Sequence, residues 1–299
     1  MNIGFVTIRG NDCHPNRRLM EAAAARGHRA ILVHPYRSWP AVVDGRLCFA
    51  GRPLPVDLLL PRQGAEIGDS SLSLLEQAAQ TGVYVVNGPE SIRLAASKYR
   101  TCRALARAGL PVPDTVLINS IDAARQAAEA VGGYPAVVKP VSGRQGEGVF
   151  LAEDAASCRR YLESTASLKS GVVFQRFIAP AGRKDLRILV LGENTAGAAD
   201  MQPVRGDFRS NFHLTGSAKA AVPETAVAAL AVSAAHALGL QIAGVDLIVD
   251  GRGRPWIMEV NYSPGFEGME TATGLDIAGA MIAYLERLWG RYRVGGSAR

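Results

Sequence analysis

Three oxygen-bearing residues near the C-terminal end of the chain, Asp246, Glu259 and Asn261, are spaced to act together. They lie in Gly244 to Gly268, GVDLIVDGRGRPWIMEVNYSPGFEG, which reads as two strands joined by a Gly-Arg-Gly-Arg turn. A hairpin centred on that turn sets Asp250 opposite Pro255 and Asp246 opposite Glu259. Side-chain alternation then gives Asp246, Glu259 and Asn261 one shared face. Val245, Leu247, Val249, Trp256, Met258 and Val260 fall on the other, which is apolar. Like charges opposed on a sheet destabilise it. A hard divalent cation would relieve them, because Mg²⁺ takes carboxylate and amide oxygens together with phosphate oxygens and water. A hairpin whose acids simply face water is the alternative.

A second group lies upstream. The apolar run Ala136 to Lys139 leads into Ser142-Gly143-Arg144-Gln145-Gly146-Glu147-Gly148, and Val149-Phe150-Leu151 is strand-like again. A Walker loop would end in Gly-Lys-Ser/Thr and open a helix; this loop joins two strands. Its backbone N–H groups could close over phosphates, with Lys139 as a point charge. An ordinary glycine turn beside a snorkelling lysine is the plainer alternative. The stretch GDFRSNFH, Gly206 to His213, is too polar for core, and Arg209 in it has the planar fork that suits phosphate or carboxylate. His213 could serve as a base, but a lone His reads first as structural or solvated.

These groups need elements to hold them. Residues 1 to about 96 alternate strand and helix: Ile3 to Ile8, Ala30 to Val33, Val56 to Leu60 and Val83 to Val86 as strands, Arg17 to Arg26 and Ser71 to Gln80 as helices. That rhythm predicts a parallel sheet with helices on its faces. No GxGxxG follows the first strand, so a dinucleotide fingerprint is absent. Arg9, Arg37 and Arg62 could reach a ligand near strand ends, but a surface role is the expectation for each. From Ser97 a helix runs to Ala108 and stops at Gly109. Strands follow at Thr115 to Ile118, Ala136 to Lys139, Ser170 to Ile178 and Leu186 to Leu191, with helices at Asp122 to Val131, Pro223 to Leu238 and Leu275 to Trp289.

The 299 residues suggest two domains or so, at roughly 150 residues each. The 33 basic and 27 acidic residues give a net charge of +6, spread along the chain, which fits an anionic small substrate without a nucleic-acid signature. Cys13, Cys48, Cys102 and Cys158 are far apart and read as reduced thiols of a cytoplasmic protein. The start, MNIGFVTI, reads as a strand and not a signal peptide, and no apolar run reaches the ~18 residues of a membrane span.

In this order the pieces resemble the ATP-grasp superfamily, and within it the RimK-like α-L-glutamate ligases. The likeness is carried by SKYR (97–100), VVKP with SGRQGEGV (137–149), DLRILVLG (185–192), GDFRSNFH (206–213), AGVDLIV (243–249) and MEVNYSPGFEG (258–268). It spans nearly the whole chain. The implied fold class is α/β and α+β: a Rossmann-like N-terminal domain (1–96), then a two-subdomain ATP-grasp fold. The central subdomain (97–178) would carry the phosphate flap and the C-terminal subdomain (179–299) the metal-binding hairpin.

The resemblance also implies roles. Lys98 and Lys139 are similar to the phosphate-binding lysines, with Lys139 and Arg209 carried as catalytic. Ser142, Gly143, Gly146 and Gly148 belong to the flap. Gln175, Arg176 and Phe177 match the strand that reads adenine, Asp185 the ribose-side acid, and Arg209, Ser210 and Asn211 the nucleotide-phosphate segment. Asp246, Glu259 and Asn261 match ligands of two Mg²⁺ or Mn²⁺ ions. The implied reaction joins L-glutamate or a similar amino acid to an acceptor carboxylate through an acyl phosphate, releasing ADP. The acceptor would be a ribosomal protein C-terminus or a coenzyme with a glutamyl tail. A homo-oligomer is expected, with neither membrane nor nucleic acid as partner. Another ATP-grasp peptide ligase, of small-metabolite or carrier-protein biosynthesis, and a non-catalytic nucleotide-binding module are the competing readings. This chain departs from the pattern at Arg176 and Phe177, where an acid and Tyr are frequent, and at Met201 and Gln202, where some relatives carry paired arginines.

Overall fold

The structure, a computed structural model, describes the chain except residues 52–53, 65–66, 144–146, 166–167, 202–217 and 297–299. The first region contains β1 (Asn2–Val6), α1 (His14–Ala25), β2 (Arg29–Val33), β3 (Ser38–Val43), β4 (Arg46–Gly51), β5 (Leu58–Pro61), α2 (Asp69–Gln80), β6 (Tyr84–Val85) and α3 (Pro89–Ala95). Four of its strands pair in parallel in the order β2-β1-β5-β6. The central strands are short apolar runs buried on both faces, as a covered parallel sheet requires. The antiparallel hairpin β3–β4 departs from the expected alternation. Its sequence carries Pro40, and Trp39, Val42 and Val43 are exposed, so it lacks the one-sided burial that reveals a strand.

The second region holds α4 (Lys98–Arg107), β7 (Thr115–Ile118), α5 (Ala124–Ala130), β8 (Ala136–Pro140), β9 (Phe150–Ala152), α6 (Ala155–Ser164) and β10 (Val172–Arg176). These strands form an antiparallel sheet in the order β7-β10-β8-β9. Ser97 caps α4 by accepting the Arg100 N–H at 3.4 Å, and Gly109 takes a φ of +71° just past the helix. The third region is β11 (Lys184–Leu191), β12 (Asn194–Met201), β13 (Ala218–Ala220), α7 (Thr225–Ala237), β14 (Ile242–Val249), β15 (Pro255–Asn261), α8 (Glu267–Thr273) and α9 (Ile277–Gly296). Its antiparallel sheet runs β13-β12-β11-β14-β15. Helix α9 continues well past the expected stop at Trp289.

Two cores join the first and third regions. In one, Leu59 and Leu75 pack with Ile188, Val245 and Ile257. In the other, Ile3, Phe5 and Leu19 pack with Leu189, Ile242 and Leu285. Asn87 fastens them together: its buried Nδ2 donates to the carbonyls of Ile242 and Tyr262, both at 2.8 Å. Its Oδ1 accepts the N–H groups of Gln241 and Ile242 at 2.7 and 2.9 Å. Ion pairs add to this at the edge, where Arg18 Nε donates to Glu270 at 3.1 Å and His28 Nε2 lies 2.6 Å from Glu286. The central sheet instead has a core of its own, including Val138, Leu162 and Phe174. Among the described residues no helix is long and apolar enough to cross a membrane, and all four cysteines are free.

Candidate active site

The β14–β15 hairpin places Asp246 opposite Glu259, as alternation predicts. Beyond that pair the register shifts by one residue. Val249, not Asp250, stands opposite Pro255. The extra residue reverses the side-chain parity of the lower half of β15, which is what a bulge does. Ile257, with no exposed surface, therefore fills the core beside Val260 and Leu247. Trp256 and Met258 were expected there and are only half-buried; Met258 lines a small cavity on the acid face with Glu259 and Asn261. Asp250 organises the turn: its carboxylate accepts the backbone N–H groups of Arg252 and Arg254 at 2.9 and 3.0 Å and Trp256 Nε1 at 3.1 Å. Those donors hold its carboxyl well below the usual range.

Arg187 on β11 completes the acid face. Its Nε and Nη2 donate to Asp246 Oδ1 and Oδ2, both at 2.7 Å, a bidentate pair. Burial alone would depress Arg187, but the charge and hydrogen bonds of Asp246, helped by Glu259, raise it above its ordinary value. Asn261 Nδ2 also donates to Asp246, at 3.3 Å. Its Oδ1 is then the atom with acceptor capacity to spare. Glu259 has no hydrogen-bond or ion-pair partner among the described residues and faces both cavities of this cleft.

The second region brings two lysines toward this face, one from a helix and one from its sheet. Lys98 opens α4, and its Nζ donates to the Gly143 carbonyl at 2.9 Å. Its own N–H bonds Val141 O at 2.9 Å. Lys98, Gly143, Glu259 and Asn261 line one cavity. Lys139 on β8 is 8% exposed and donates to Gln175 Oε1 at 2.9 Å. Among the described residues it makes no ion pair. Burial lowers its pKa; Cys102 and Glu259 act the other way, and Lys98 adds to the lowering. A buried ammonium held by one neutral amide is poised to receive an anion.

The loop after Lys139 is a hairpin tip, because β8 and β9 pair antiparallel. Gly148 closes it with a φ of +66°, and a Cβ there would meet Pro140 at 2.9 Å. Ser142 and Gly148 are exposed. Gly146, Arg209, Ser210, Asn211 and His213 lie outside the described residues.

Other candidates sit farther from the acid face. Gln175 is fully buried and spends its side chain on Lys139 and Thr115. Arg176 is exposed and paired with Asp114, and Phe177 follows half-buried. Asp185 is buried against Arg183, whose Nη2 donates to it at 2.9 Å. Of the three arginines expected at the surface, Arg9 and Arg37 are exposed. Arg62 is a correction: its guanidinium is buried, with Nη2 donating to Pro264 O at 2.8 Å. Its place directly after the buried run Leu58–Pro61 was the available signal.

The family profile of the RimK-like ATP-grasp domain matches residues 95–285. The chain belongs to the RimK-like ATP-grasp family. A probable alpha-L-glutamate ligase of Pseudoalteromonas translucida (strain TAC 125) is 39% identical over 290 residues, covering 96% of each chain. The crystal structure of the RimK domain protein ATP-grasp from Sphaerobacter thermophilus DSM 20745 superposes with a TM-score of 0.72 at 26% identity, covering 95% of this chain and 99% of that one. The ATP-grasp ligase PsnB, complexed with a phosphomimetic variant of its minimal precursor, Mg and ADP, shares the fold at a TM-score of 0.69 and 20% identity, covering 95% and 97%. This RimK-like chain is accordingly an ADP-forming ligase with an ATP-grasp fold of mixed α/β and α+β character.

Proposed function

We propose that this ligase joins L-glutamate, or a closely similar amino acid, to an acceptor carboxylate through an acyl phosphate. The acceptor is a protein C-terminus or a coenzyme with a glutamyl tail. The observation that carries the proposal is the convergence of two lysines of the second region, Lys98 at the start of α4 and Lys139 on β8, toward an acid–amide face. A γ-phosphate has cations on one side there and hard oxygen donors on the other. The relatives' name supports glutamate as the amino acid.

In the proposed sequence an acceptor carboxylate oxygen attacks the γ-phosphorus and ADP leaves. The amine of the incoming amino acid attacks the acyl carbon, and phosphate leaves as the amide forms. Lys98 and Lys139 neutralise the transferring phosphoryl group, while the Ser142–Gly148 loop covers it and Gly143 brings the loop against Glu259. Arg209, Ser210 and Asn211 are assigned to the nucleotide phosphates by motif alone, with Arg209 and Lys139 as the catalytic cations. Backbone groups of Gln175 to Ile178 are assigned to adenine and Asp185 to ribose.

Glu259, Asp246 and Asn261 would hold Mg²⁺. The donor set fits: two opposed carboxylates and an amide oxygen, with Glu259 unengaged among the described residues. No three His, Cys, Asp or Glu side chains cluster for a metal among the described residues, so phosphate oxygens and water must complete the shell. When bound, the metal supplies charge neutralisation of the phosphates. Arg187 fixes the Asp246 carboxylate through its bidentate pair. We also propose domain limits at 1–96, 97–178 and 179–299.

The test is ADP and phosphate release with Mg-ATP, amino acids and a panel of acceptors, with products weighed by mass spectrometry. Release that needs both L-glutamate and one acceptor, with a glutamyl mass gain, is the expected result. Nucleotide binding without turnover across a broad panel would leave a binding module and overturn the proposal.

A further inference from the structure

A cavity of about 250 Å³ opens from the acid face into the seam between the first and third regions. Glu259 and Asn261 line it from the third region, and the N-terminal end of α1 with the residues that follow β5 line it from the first. The first region's wall holds an unusual set of groups. Arg62 Nε and Nη1, both amide atoms of Gln63 (Oε1 and Nε2) and His14 Nδ1 are buried and have no hydrogen-bond partner among the described residues. All three residues line this cavity. Buried polar atoms are nearly always satisfied, so five orphans on one wall of one cavity mark the place of a missing partner.

The chemistry of that partner follows from the wall. Arg62 is a guanidinium with one N–H bound to Pro264 O and two sides open, set over the Phe266 ring at 5.7 Å. Burial lowers its pKa to about 10, which leaves it charged at neutral pH. Arg9 lies at the mouth, and the positive end of the twelve-residue α1 faces the same space. A buried cation with open N–H groups beside an amide calls for a planar anion, and a carboxylate matches it. The acids sit on the third region's side, Glu259 at the acid face and Glu267 at the start of α8. The cavity thus sets Arg62 and Gln63 on the first region's wall against Glu259 on the third region's, which suits an amino acid with its carboxylate on Arg62 and its amine toward the phosphoryl site.

We propose that Arg62, with Gln63 and His14, forms the carboxylate-recognition subsite for the incoming amino acid. This rests on the ligase reading above and adds which wall orients the amine donor. Arg62 donates from Nε and Nη1, and Gln63 donates from Nε2. The amine then points at Glu259 and the acyl phosphate.

The experiment is calorimetric binding of L-glutamate to the full chain in the presence of Mg²⁺ and a non-hydrolysable ATP analogue. Wild type is compared with Arg62→Met and Gln63→Leu. Arg62→Met is expected to weaken L-glutamate by about ten- to a hundredfold, the loss of charge-assisted hydrogen bonds, with nucleotide affinity within about twofold. L-Glutamine or 4-aminobutyrate, each lacking one carboxylate of glutamate, should bind wild type and Arg62→Met alike in at least one case. Gln63→Leu should weaken L-glutamate while raising the melting temperature of the free protein, because it removes two unsatisfied polar atoms; a merely structural Gln63 would not give that pair of effects. Arg62-independent binding of L-glutamate, or equal loss for all three ligands, would overturn the subsite. Should wild type ignore L-glutamate but bind another amino acid in an Arg62-dependent way, the donor's identity would be corrected and the subsite upheld. If no amino acid binds, the subsite is refuted.

Discussion

The five-stranded sheet and the central antiparallel sheet both deliver ionisable groups to one cleft, but they are anchored on different terms. The five-stranded sheet shares two cores with the first region, and Asn87 makes four hydrogen bonds, three of them buried, across that seam. Asp246, Glu259 and Asn261 thus ride on a braced frame. The central sheet packs mainly on itself. Its ties to the acid face include Lys98 Nζ on Gly143 O and the Ile257 N–H on Pro111 O at 2.9 Å. A donor set for a metal needs fixed distances, and a frame supplies them. A phosphate clamp must admit and release nucleotide, which suits a unit with its own core and few cross-ties.

Breaking the frame's chemistry should have the largest effect. Glu259→Gln keeps the shape but removes a charge from the metal face. ATP turnover should fall by about a hundred- to a thousandfold, while the melting temperature holds, measured by coupled ADP release and thermal denaturation. Wild-type turnover in that variant would remove Glu259 from the site.

Next is the seam. Asn87→Ala strands two carbonyls and two N–H groups in a buried place. A loss of about 3 kcal/mol is expected from the cost of unsatisfied buried groups. It should appear as a lower denaturant midpoint for the first and third regions together, with the central sheet affected less. Hydrogen exchange resolved by region reads this directly.

Lys139 sharpens the contrast from the other side. Burial lowers its pKa in the free protein, so its charged form costs stability in full below that folded pKa. The cost fades as pH rises through the folded pKa toward the unfolded value of about 10.5. Lys139→Met should therefore flatten this alkaline gain and abolish measurable ATP turnover. Normal nucleotide binding and turnover in Lys139→Met would contradict the assignment.

The smallest effect belongs to Arg176. Its pair with Asp114 is exposed on both sides, so Arg176→Ala should change stability by less than about 0.5 kcal/mol. If adenine is read through backbone groups, the KM for ATP should stay within about twofold. A large rise would mean that the side chain itself takes part.

Local spacing made the acid face legible. Strands alternate with period two, and a Gly-Arg-Gly-Arg turn is short enough to set Asp246 against Glu259. Caps were equally readable, since Ser97 and Gly109 bound a helix through bonds within a few residues. The β8–β9 hairpin around the glycine loop followed from the strand-like text on both sides.

What the chain order hid depends on neighbours distant in sequence. The bulge that puts Ile257 in the core and turns Met258 to the cleft is settled by packing, where either parity is apolar on paper. The β3–β4 hairpin gave no period because Trp39 and Val42, on opposite faces of β3, are both apolar and exposed. Arg62 reads as surface by composition; its burial comes from Pro264 and Phe266, some two hundred residues later. Asn87 likewise acquires its purpose only when Gln241, Ile242 and Tyr262 arrive. Residue types and short-range period determined which groups carry the chemistry. Tertiary packing alone decided which of them are buried, paired or left open, because desolvation is a property of surroundings that no local window contains.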